Sequence, residues 1–344
     1  MRSIAARHWM KLYNLCFIGF GNVGRALARL LAVKSDELKQ LYGIDWRITG
    51  IASRRIGWLA DSNGFDISQI VTKPPESNRT FGESGINDWL QSAQADVVFE
   101  TTSLNHQTGE PALSYLKAAL QSGCHAITAN KGAVVYGYHE LNALANATGK
   151  RFLFESAVLD SAPVFSLFRE ALPAVKLRGF SGLFSSTANV ILETIEAGRS
   201  FEEGVKTAQE LGVAETDPSH DIEGWDATVK VCALANVLMN ARLTPADVTR
   251  EGIATLDPRK VQAARADGKP YKLVARAKES NGKLTASVRP EQIAPGDPLA
   301  NVRGTSLAVH FELDMMPGLT ITSHRPNLQS TAYGLLADFV NAVR

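Results

Sequence analysis

The amino-acid sequence predicts an α/β protein: a Rossmann-type doubly wound parallel sheet followed by a second domain of the α+β class. Three observations predict it. Short apolar runs alternate with amphipathic helical stretches up to residue 154, and a glycine-rich turn joins the first run to the first helical stretch. Beyond residue 154 the helices lengthen and hairpin signals appear. Strands that alternate with helices are typical of a parallel sheet covered by helices on both faces.

Length and composition are those of an ordinary globular protein. The 344 residues are enough for two domains with sizeable cores. With 36 Lys and Arg against 35 Asp and Glu, the net charge of +1 predicts neither a nucleic-acid partner nor binding to a membrane surface. No apolar run approaches the ~18 residues that span a bilayer. Three widely spaced cysteines, in no CxxC pair, are typical of buried thiols in a reducing compartment, so we expect a cytoplasmic protein.

The first predicted strand, residues 14–19, leads through a glycine-rich turn into a helix over residues 25–32. In this setting the G-x-G-x-x-G pattern predicts dinucleotide binding. The first glycine permits the tight turn, the second lets a pyrophosphate approach the backbone, and the third lets the helix pack on the strand. A tight turn without a ligand is the alternative. The candidate cofactor residues are Gly19, Phe20, Gly21, Asn22, Val23 and Gly24.

The second strand, residues 46–52, ends at Ser53, Arg54 and Arg55. An NAD enzyme would offer a carboxylate there to the ribose 2′-hydroxyl, whereas an arginine can pair with a 2′-phosphate. Because no carboxylate stands at this position, we expect NADP as the cofactor, bound through Arg54 and Arg55, with NAD as the other possibility. The alternative is that the two arginines are solvated and begin a loop.

The alternation continues with helices and strands predicted over residues 86–93, 96–100, 110–121, 125–128, 138–147 and 151–154. Ligands of doubly wound sheets lie beyond the carboxyl ends of the strands. Two of these ends are polar, with Thr101 and Thr102 after one strand and Asn130 and Lys131 after the next. We expect these residues at the cofactor rim, with Lys131 facing the reactive end of the cofactor. For the threonines, capping of a helix or turn is the alternative.

The second half of the chain has a different pattern. A strand is predicted over residues 176–184, and helices over 187–197, 201–211 and 257–266. Asn281-Gly282 predicts a hairpin, and another strand pair straddles Pro317-Gly318. A last helix is predicted over 328–343. We expect three parts: a dinucleotide-binding domain over residues 1–154, a second domain over 155–318, and a C-terminal helix that returns to the first domain, over 319–344.

The most charged stretch, residues 212–230, enters a helix whose next nine residues are apolar enough to bury it. Asp226 and Lys230 are four residues apart and therefore share one helix face. A charged pair at the mouth of a buried helix is costly unless it is partnered, and that cost is often borne at functional sites. A solvated acidic loop with a surface ion pair is the alternative. The stretch contains five carboxylates: Glu215, Asp217, Asp221, Glu223 and Asp226.

Five segments, in chain order, resemble the homoserine dehydrogenase family: GFGNVGR, TANKG, ESAVLDSAP, SSTANVIL and GVAETDPSHDIEGWDATVK. The resemblance covers nearly the whole chain, and the block from Glu215 to Lys230 is its most specific part. It implies the reversible NAD(P)H-dependent reduction of L-aspartate 4-semialdehyde to L-homoserine, on the pathway to threonine, methionine and isoleucine. It also implies that the second domain binds the substrate and pairs the chain into a homodimer.

The resemblance implies roles for individual residues. Lys230 matches the lysine that acts as acid or base at the reacting carbonyl oxygen, Asp226 an acid that organises it, and Lys131 a second active-site lysine. Positions that match substrate-binding residues are Glu215, Asp221 and Thr187. The residues that match a monovalent-cation site, for Na⁺ or K⁺, are Glu155 and the backbone of Val158, Asp160 and Ala162.

The chain departs from the family pattern at Ser161 and Ser186, where many members carry glycine. It ends at Arg344, without the ~70-residue regulatory domain that some members append, so we expect no threonine feedback through such a domain. At the other end, residues 1–9 are basic but lack the apolar core of a signal peptide. We expect a ragged or misassigned extension there.

Two alternatives to this function are open. One is another NAD(P)-dependent amino-acid or semialdehyde dehydrogenase on the same architecture. The acylating members of that class need a cysteine nucleophile, and Cys124 and Cys232 lie inside or beside predicted elements. The other is a non-catalytic NADP-binding protein, since a fold does not by itself give a function. Such a protein would have no use for Lys230 and Asp226 behind an acidic loop.

Overall fold

The structure is a computed structural model and describes residues 10–73 and 85–344. The chain folds as two compact units, one of Met1–Ser156 with Leu328–Arg344 and one of Ala157–Asn327. Each unit contains a six-stranded sheet. Residues 1–9, for which a ragged extension was expected, lie outside the described residues.

The sheet of the first unit is parallel except at one edge. Its strands are β1 (Lys11–Ile18), β2 (Ile44–Ser53), β3 (Gly57–Ala60), β4 (Val97–Glu100), β5 (His125–Thr128) and β6 (Phe152–Leu153). Their order is β3-β2-β1-β4-β5-β6, and β3 runs antiparallel to β2. The chain thus winds from the centre to one edge and then to the other, which confirms the predicted Rossmann-type sheet. Strand β3 was not predicted, because four residues carry little periodicity.

Helices connect these strands. They are α1 (Asn22–Val33), α2 (Ser35–Tyr42), α3 (Ile67–Ile70), α4 (Ile86–Ser92), α5 (Ala112–Gln121) and α6 (Lys131–Thr148). The predicted start of α6 at residue 138 is wrong by seven residues. The side-chain oxygen of Asn130 accepts a hydrogen bond from the Gly132 N–H (3.1 Å), which caps the helix and lets it begin at Lys131.

The second unit combines helices with a largely antiparallel sheet. Its strands are β7 (Leu177–Leu183), β8 (Thr249–Arg250), β9 (Tyr271–Ser280), β10 (Lys283–Gln292), β11 (Leu307–Leu313) and β12 (Leu319–Ser323). Their order is β12-β11-β7-β9-β10-β8, and only the β8–β10 pair is parallel among these pairs. The predicted hairpin is confirmed, because Asn281 (φ 51°) and Gly282 (φ 73°) both adopt the left-handed conformation that a tight hairpin turn requires.

The helices that accompany this second sheet are α7 (Ser156–Leu159), α8 (Val164–Ser166) with a π-helical turn (Leu167–Ala171), α9 (Ser186–Glu196), α10 (Phe201–Glu210), α11 (Ser219–Ile222), α12 (Trp225–Leu238), a 3₁₀ turn (Pro245–Asp247) and α13 (Pro258–Ala266). Ser185 caps α9 by accepting a hydrogen bond from the Ala188 N–H (3.1 Å). Helix α12 is buried on most sides, as its apolar sequence predicts.

The last helix, α14 (Leu328–Val343), has the predicted bounds and belongs to the first unit. Leu335 and Phe339 lie in the core of that unit, where the ring of Phe339 meets the ring of Tyr13 edge-on with centroids 5.9 Å apart. The buried carboxylate of Asp338 accepts a hydrogen bond from the Glu155 N–H (2.7 Å). Among the described residues, no helix combines the length and the hydropathy that crossing a membrane requires.

Candidate functional site

The glycine-rich turn between β1 and α1 has the geometry that dinucleotide binding requires. Gly19 adopts φ +94°, and a Cβ there would lie 2.5 Å from the carbonyl carbon of Thr101. A Cβ on Gly24 would lie 2.9 Å from the Gly19 oxygen, whereas a Cβ on Gly21 would meet no atom within 4 Å. The outer two glycines are therefore needed for close packing, and the middle one faces open space in which a pyrophosphate fits.

Of the other residues of the turn, one packs in the core and two place their backbone N–H groups at the start of α1. Phe20 is buried and packs its ring edge-on against Phe17, with centroids 5.5 Å apart. Asn22 is exposed and Val23 is half-buried in the first turn of α1. These two residues, together with Gly24, contribute N–H groups at the start of a helix, where orphan donors and the helix dipole favour an anion.

The ends of β4 and β5 are tied together by a carboxylate that the sequence analysis did not select. Glu100 is fully buried and accepts hydrogen bonds from the Thr102 N–H (2.7 Å) and from the hydroxyls of Thr102 and Thr128 (2.6 Å to the latter). Burial raises the pKa of the Glu100 carboxyl, and these hydrogen bonds oppose the rise. The Thr101 hydroxyl donates to the Gly19 oxygen, which fastens the glycine turn to the same strand end.

A cavity of about 200 Å³ lies beside the glycine turn. Arg54 and Ser53 line it on the β2 side, and Thr102 lines it from the end of β4, with Trp58 and Tyr115 supplying aromatic walls. No carboxylate is among its described lining residues. Arg54 and Arg55 are both exposed, but only Arg54 is among the described residues that line the cavity. The cavity thus has the position and the charge that suit a nucleoside carrying a phosphate.

Asn130 and Lys131 stand where the sequence predicted, after β5, at the start of α6. The Asn130 N–H donates to the Thr128 hydroxyl (2.9 Å), and Asn130 is buried. Lys131 is the first residue of α6 and is half-buried. The Thr128 hydroxyl that receives this bond also donates to Glu100, so the two polar strand ends form one hydrogen-bonded network.

The second unit holds the charged pair that the helical spacing predicted. Lys230 Nζ lies 2.8 Å from Asp226 Oδ2 and donates to the carbonyl oxygen of Phe184 (2.6 Å). The side chains are only 12% and 20% exposed, so the alternative of a solvated surface pair is wrong. Burial by itself lowers the pKa of Lys230, but Asp226, with smaller contributions from Asp160 and Asp221, outweighs burial and raises it. The ammonium therefore stays charged at neutral pH.

Asp221 is held beside this pair by the start of α9. Its two carboxylate oxygens lie 3.2 Å from the Ser185 hydroxyl and 3.0 Å from the Thr187 hydroxyl. Burial, and then the charge of Asp226, raise the pKa of Asp221, while Lys230 and the two hydroxyls lower it. Sequence reasoning missed Ser185, although a hydroxyl between a strand end and a helix is the same signal that selected Thr101. It had no signal for the Phe184 carbonyl.

The remaining acids of the loop lie further out. Glu215 is exposed, its carbonyl oxygen accepts a hydrogen bond from Gln209 (3.3 Å), and its carboxylate does not join the Lys230 cluster in the part of the chain that is described. Asp217 is also exposed and accepts a hydrogen bond from the Ser219 N–H (3.1 Å), at the first residue of the short helix α11. The structure thus brings Asp221, Asp226 and Lys230 together, and leaves Glu215 at the periphery.

The residues matched to a cation site fall on either side of the division between units. Glu155, which is buried, belongs to the first unit, and Val158, Asp160 and Ala162 belong to the second. Asp160 adopts the left-handed conformation (φ 54°), and the Ala162 oxygen accepts a hydrogen bond from the Val164 N–H (2.8 Å). No group of three or more His, Cys, Asp or Glu side chains suited to a metal ion occurs within residues 10–73 and 85–344.

The cysteines do not provide a nucleophile. Cys16, Cys124 and Cys232 are all buried and unpaired. Burial raises the pKa of the Cys124 and Cys232 thiols to about 12, and it raises the pKa of Cys16 further. Because the thiolate is the reactive form, none of them suits the acylating chemistry of a semialdehyde dehydrogenase.

Hydride chemistry needs a bound dinucleotide and, at the oxygen of the reacting carbon, a group that gives or takes a proton. The first unit has the geometry for the former, and the second unit holds a buried, charged lysine of the kind that the latter requires. The chain is therefore a nicotinamide-dependent dehydrogenase.

Comparison with known proteins gives the family. Residues 163–340 match the model described as homoserine dehydrogenase, and residues 19–155 match the one described as homoserine dehydrogenase, NAD binding domain. The NAD(+)-dependent homoserine dehydrogenase of Pseudomonas canavaninivorans is 34% identical over 340 residues, which are 96% of each chain. The chain belongs to the homoserine dehydrogenase family, and it is an NAD(P)-dependent oxidoreductase that acts on a CH–OH group. The known reaction is the reduction of aspartate semialdehyde to homoserine.

Solved structures agree with this assignment. A homoserine dehydrogenase from Thiobacillus denitrificans has a TM-score of 0.83 and 28% identity, covering 97% of this chain and 74% of its own. A hyperthermophilic archaeal homoserine dehydrogenase mutant in complex with NADPH has a TM-score of 0.80 and 25% identity, covering 96% of this chain and 98% of its own. The resemblance drawn from the motifs is confirmed, and neither another dehydrogenase nor a non-catalytic binder is favoured.

Proposed function

We propose that Lys230 serves the reacting oxygen when this chain interconverts L-aspartate 4-semialdehyde and L-homoserine. One observation carries the proposal: a nearly buried ammonium lies 2.8 Å from Asp226 and 2.6 Å from the Phe184 oxygen. An ammonium has three N–H donors, so these two contacts leave one for a substrate oxygen. The reduced nicotinamide, when bound, supplies the hydride. The negative charge that then develops on the aldehyde oxygen is stabilised and protonated by Lys230.

The acids around Lys230 have separate roles in this proposal. Asp226 orients the lysine through the ion pair, and Asp221 receives the substrate's α-ammonium group. Glu215, which the sequence resemblance also assigns to the substrate, lies at the periphery and contributes a second carboxylate from the outer side of the loop. Thr187 is only 1% exposed and its hydroxyl lies against Asp221, so it acts by positioning that carboxylate. Lys131, at the rim of the dinucleotide site, is the second active-site lysine and receives the substrate's own carboxylate, which the acids would repel.

Replacing Lys230 tests the proton donor. We expect Lys230→Ala to lower kcat by about a hundredfold to ten-thousandfold, the usual worth of a positioned acid or base, while the KM for the dinucleotide stays unchanged. Steady-state assays in both directions measure this, with Lys206→Ala, an exposed lysine that pairs with Glu210, as the matched control. Near-full turnover of Lys230→Ala would exclude the assignment.

The pH profile gives a second readout of the same role. Homoserine oxidation needs neutral Lys230, and the pKa of that lysine is raised. We therefore expect the oxidation rate to climb continuously from about pH 7 to 10, below the ordinary lysine pKa of ~10.4. Reduction uses the protonated form, so its rate holds through this range and falls only as pH passes the raised pKa. A flat oxidation profile from about pH 7 to 10 contradicts lysine as the base.

We propose NADP as the preferred dinucleotide, bound through Arg54, with Arg55 contributing charge from its exposed position. The proposal is supported by Arg54 lining the cavity, from which carboxylates are absent among the described residues. The relative from Pseudomonas canavaninivorans is named as NAD(+)-dependent, whereas the archaeal mutant is a complex with NADPH. Because these two relatives differ, the proposal rests on the position of Arg54 in this chain.

Arg54→Ala tests the preference. We expect kcat/KM for NADP to fall by about 10- to 100-fold, the worth of one hydrogen-bonded charge pair, and kcat/KM for NAD to change little, since NAD has no 2′-phosphate. Arg55→Ala, at the neighbouring exposed arginine, should have the smaller effect because that residue does not line the cavity. An NADP:NAD ratio that is the same in Arg54→Ala as in the unaltered protein rules the assignment out.

A monovalent cation, Na⁺ or K⁺, is a further proposal, which rests on the sequence resemblance of Glu155, Val158, Asp160 and Ala162 to the cation-site positions of the family. Carbonyl oxygens with one carboxylate are the hard donors that such ions accept, and the Ala162 oxygen retains a second lone pair beside its hydrogen bond to Val164. We expect turnover to rise when Na⁺ or K⁺ is added to protein dialysed against a tetramethylammonium buffer. Turnover that does not respond to either ion refutes this part.

A homodimer formed through the second unit is proposed on the family resemblance. Its test is sedimentation equilibrium, which should give a mass of twice the 37.2 kDa chain.

A cytoplasmic location, and a role in the synthesis of threonine, methionine and isoleucine, are also proposed. The three buried free thiols support a reducing compartment. Cell fractionation with activity assays on each fraction would place the enzyme.

A further inference from the structure

Three side chains close on the turn that joins α11 to α12, and none of them has a role so far. The guanidinium carbon of Arg250 lies 3.8 Å from the ring centroid of Trp225. Arg250 Nη1 also donates to the carbonyl oxygen of Glu223, and Trp225 Nε1 donates to the Glu223 carboxylate (3.0 Å). Each of the three residues thus contacts the other two. We call Glu223, Trp225 and Arg250 the Trp225 clamp.

The clamp surrounds a turn that has little freedom to move. Gly224, at its centre, adopts φ +81°, and a Cβ there would lie 3.2 Å from a methyl carbon of Val288. A Cβ on Gly252 would lie 2.6 Å from the Ile222 oxygen, and the Ile253 N–H donates to that same oxygen (2.9 Å). Backbone from the segment after β8 is therefore pressed directly against the turn, where only glycine fits.

Strand β8 connects the clamp to the sheet. It pairs in parallel with β10, where Arg250 is opposite Val288, and the Glu251 N–H donates to the Val288 oxygen (2.8 Å). The arginine thus projects from an anchored strand onto a loop of the functional site. Planar guanidinium can stack on an indole and donate to a carbonyl at once, which an ammonium does less well.

The turn separates the two acids that matter most in the proposed mechanism. Asp221 precedes it, and its carbonyl oxygen accepts a hydrogen bond from the Gly224 N–H (3.1 Å). Asp226 follows Trp225 directly, in the first turn of α12, and Lys230 lies one helical turn further on. Any rotation of the turn would therefore move Asp221 relative to the Asp226–Lys230 pair.

We infer that the Trp225 clamp is a positioning device for the substrate site, which sets the geometry of Asp221 relative to Asp226 and Lys230 through the Gly224 turn. The inference rests on the proposed roles of those three residues. Arg250, Trp225 and Glu223 are positioning residues: they act on the substrate through the two aspartates. Glu223 is an exposed acid of the loop, and the inference gives it a positioning role instead of treating it as a merely solvated charge.

The test compares Arg250→Ala, Arg250→Lys, Trp225→Phe and the Trp225→Phe/Arg250→Ala double variant. Arg199→Ala is the matched control, since Arg199 is an exposed arginine of the same unit that pairs with Glu203 (3.3 Å). For each variant the KM for homoserine, the KM for the dinucleotide, kcat and the thermal unfolding temperature are measured. Asp221→Asn and Lys230→Ala are measured in parallel.

We expect Arg250→Ala to raise the KM for homoserine about five- to tenfold, in keeping with loss of one cation–π contact and its hydrogen bond, with the KM for the dinucleotide unchanged. Arg250→Lys should restore part of the effect, because a lysine keeps the charge over the ring. Trp225→Phe keeps an aromatic face but loses the bond to Glu223, so its effect should be smaller. The double variant should not exceed Arg250→Ala, because both changes act through one turn.

Three results would overturn the inference. In the first, Arg250→Ala and Trp225→Phe have the same KM for homoserine as the control Arg199→Ala, while Asp221→Asn and Lys230→Ala lose activity. The positioning role of the clamp is then refuted, and the proposed function stands. The second is an equal rise in both KM values without rescue by Arg250→Lys, which indicates general damage to the fold. The third is near-full activity of Asp221→Asn and Lys230→Ala, which removes the proposed roles and the clamp with them. If Arg250→Ala does not fold, Trp225→Phe and Arg250→Lys decide.

Discussion

The ion pair between Lys230 and Asp226 is the constraint around which the second unit is arranged. Removing two charges from water costs several kcal/mol per ion unless geometry and further hydrogen bonds compensate. Here the compensation comes from separate elements: the Phe184 carbonyl at the end of β7, and Asp221, which the start of α9 holds through two hydroxyls. The buried face of α12 keeps the pair in place, so a charge that would be unfavourable elsewhere is held in one position, as the proposed role of Lys230 requires.

The first unit differs from the second because the charge at its site belongs to the ligand, the pyrophosphate of the dinucleotide, and not to the protein. Its backbone must come close to a phosphate and still leave space for the phosphate itself. Gly19 and Gly24 allow the turn to pack closely, and Gly21 faces the open space. The buried carboxylate of Glu100 holds the ends of β4 and β5 together, because Thr102 and Thr128 both donate hydrogen bonds to it. Burial makes this carboxylate costly, so its three hydrogen bonds act together and hold two loops in one arrangement.

Agreement between the sequence-based expectations and the structure depends on the range of the interactions involved. The glycine turn, the Asn281-Gly282 hairpin and helix α14 were predicted well because neighbouring residues determine them. Helix α6 was predicted to begin too late, since an Asn-Lys-Gly sequence looks like loop until the Asn130 cap is seen. Strand β3 was missed because it depends on pairing with β2 and not on its own four residues.

By itself the sequence determined the fold class, the dinucleotide-binding domain, the family, and the fact that Asp226 and Lys230 share a helix face. All of these depend on local periodicity or on motifs read in order along the chain. Only the tertiary structure decided which groups surround the pair and the turn before it: the Phe184 carbonyl, Ser185 and Arg250 come from segments 25 to 46 residues away from the partners they contact. Contacts at such separations, and the loss of water that raises or lowers a pKa, arise only when the chain has closed upon itself.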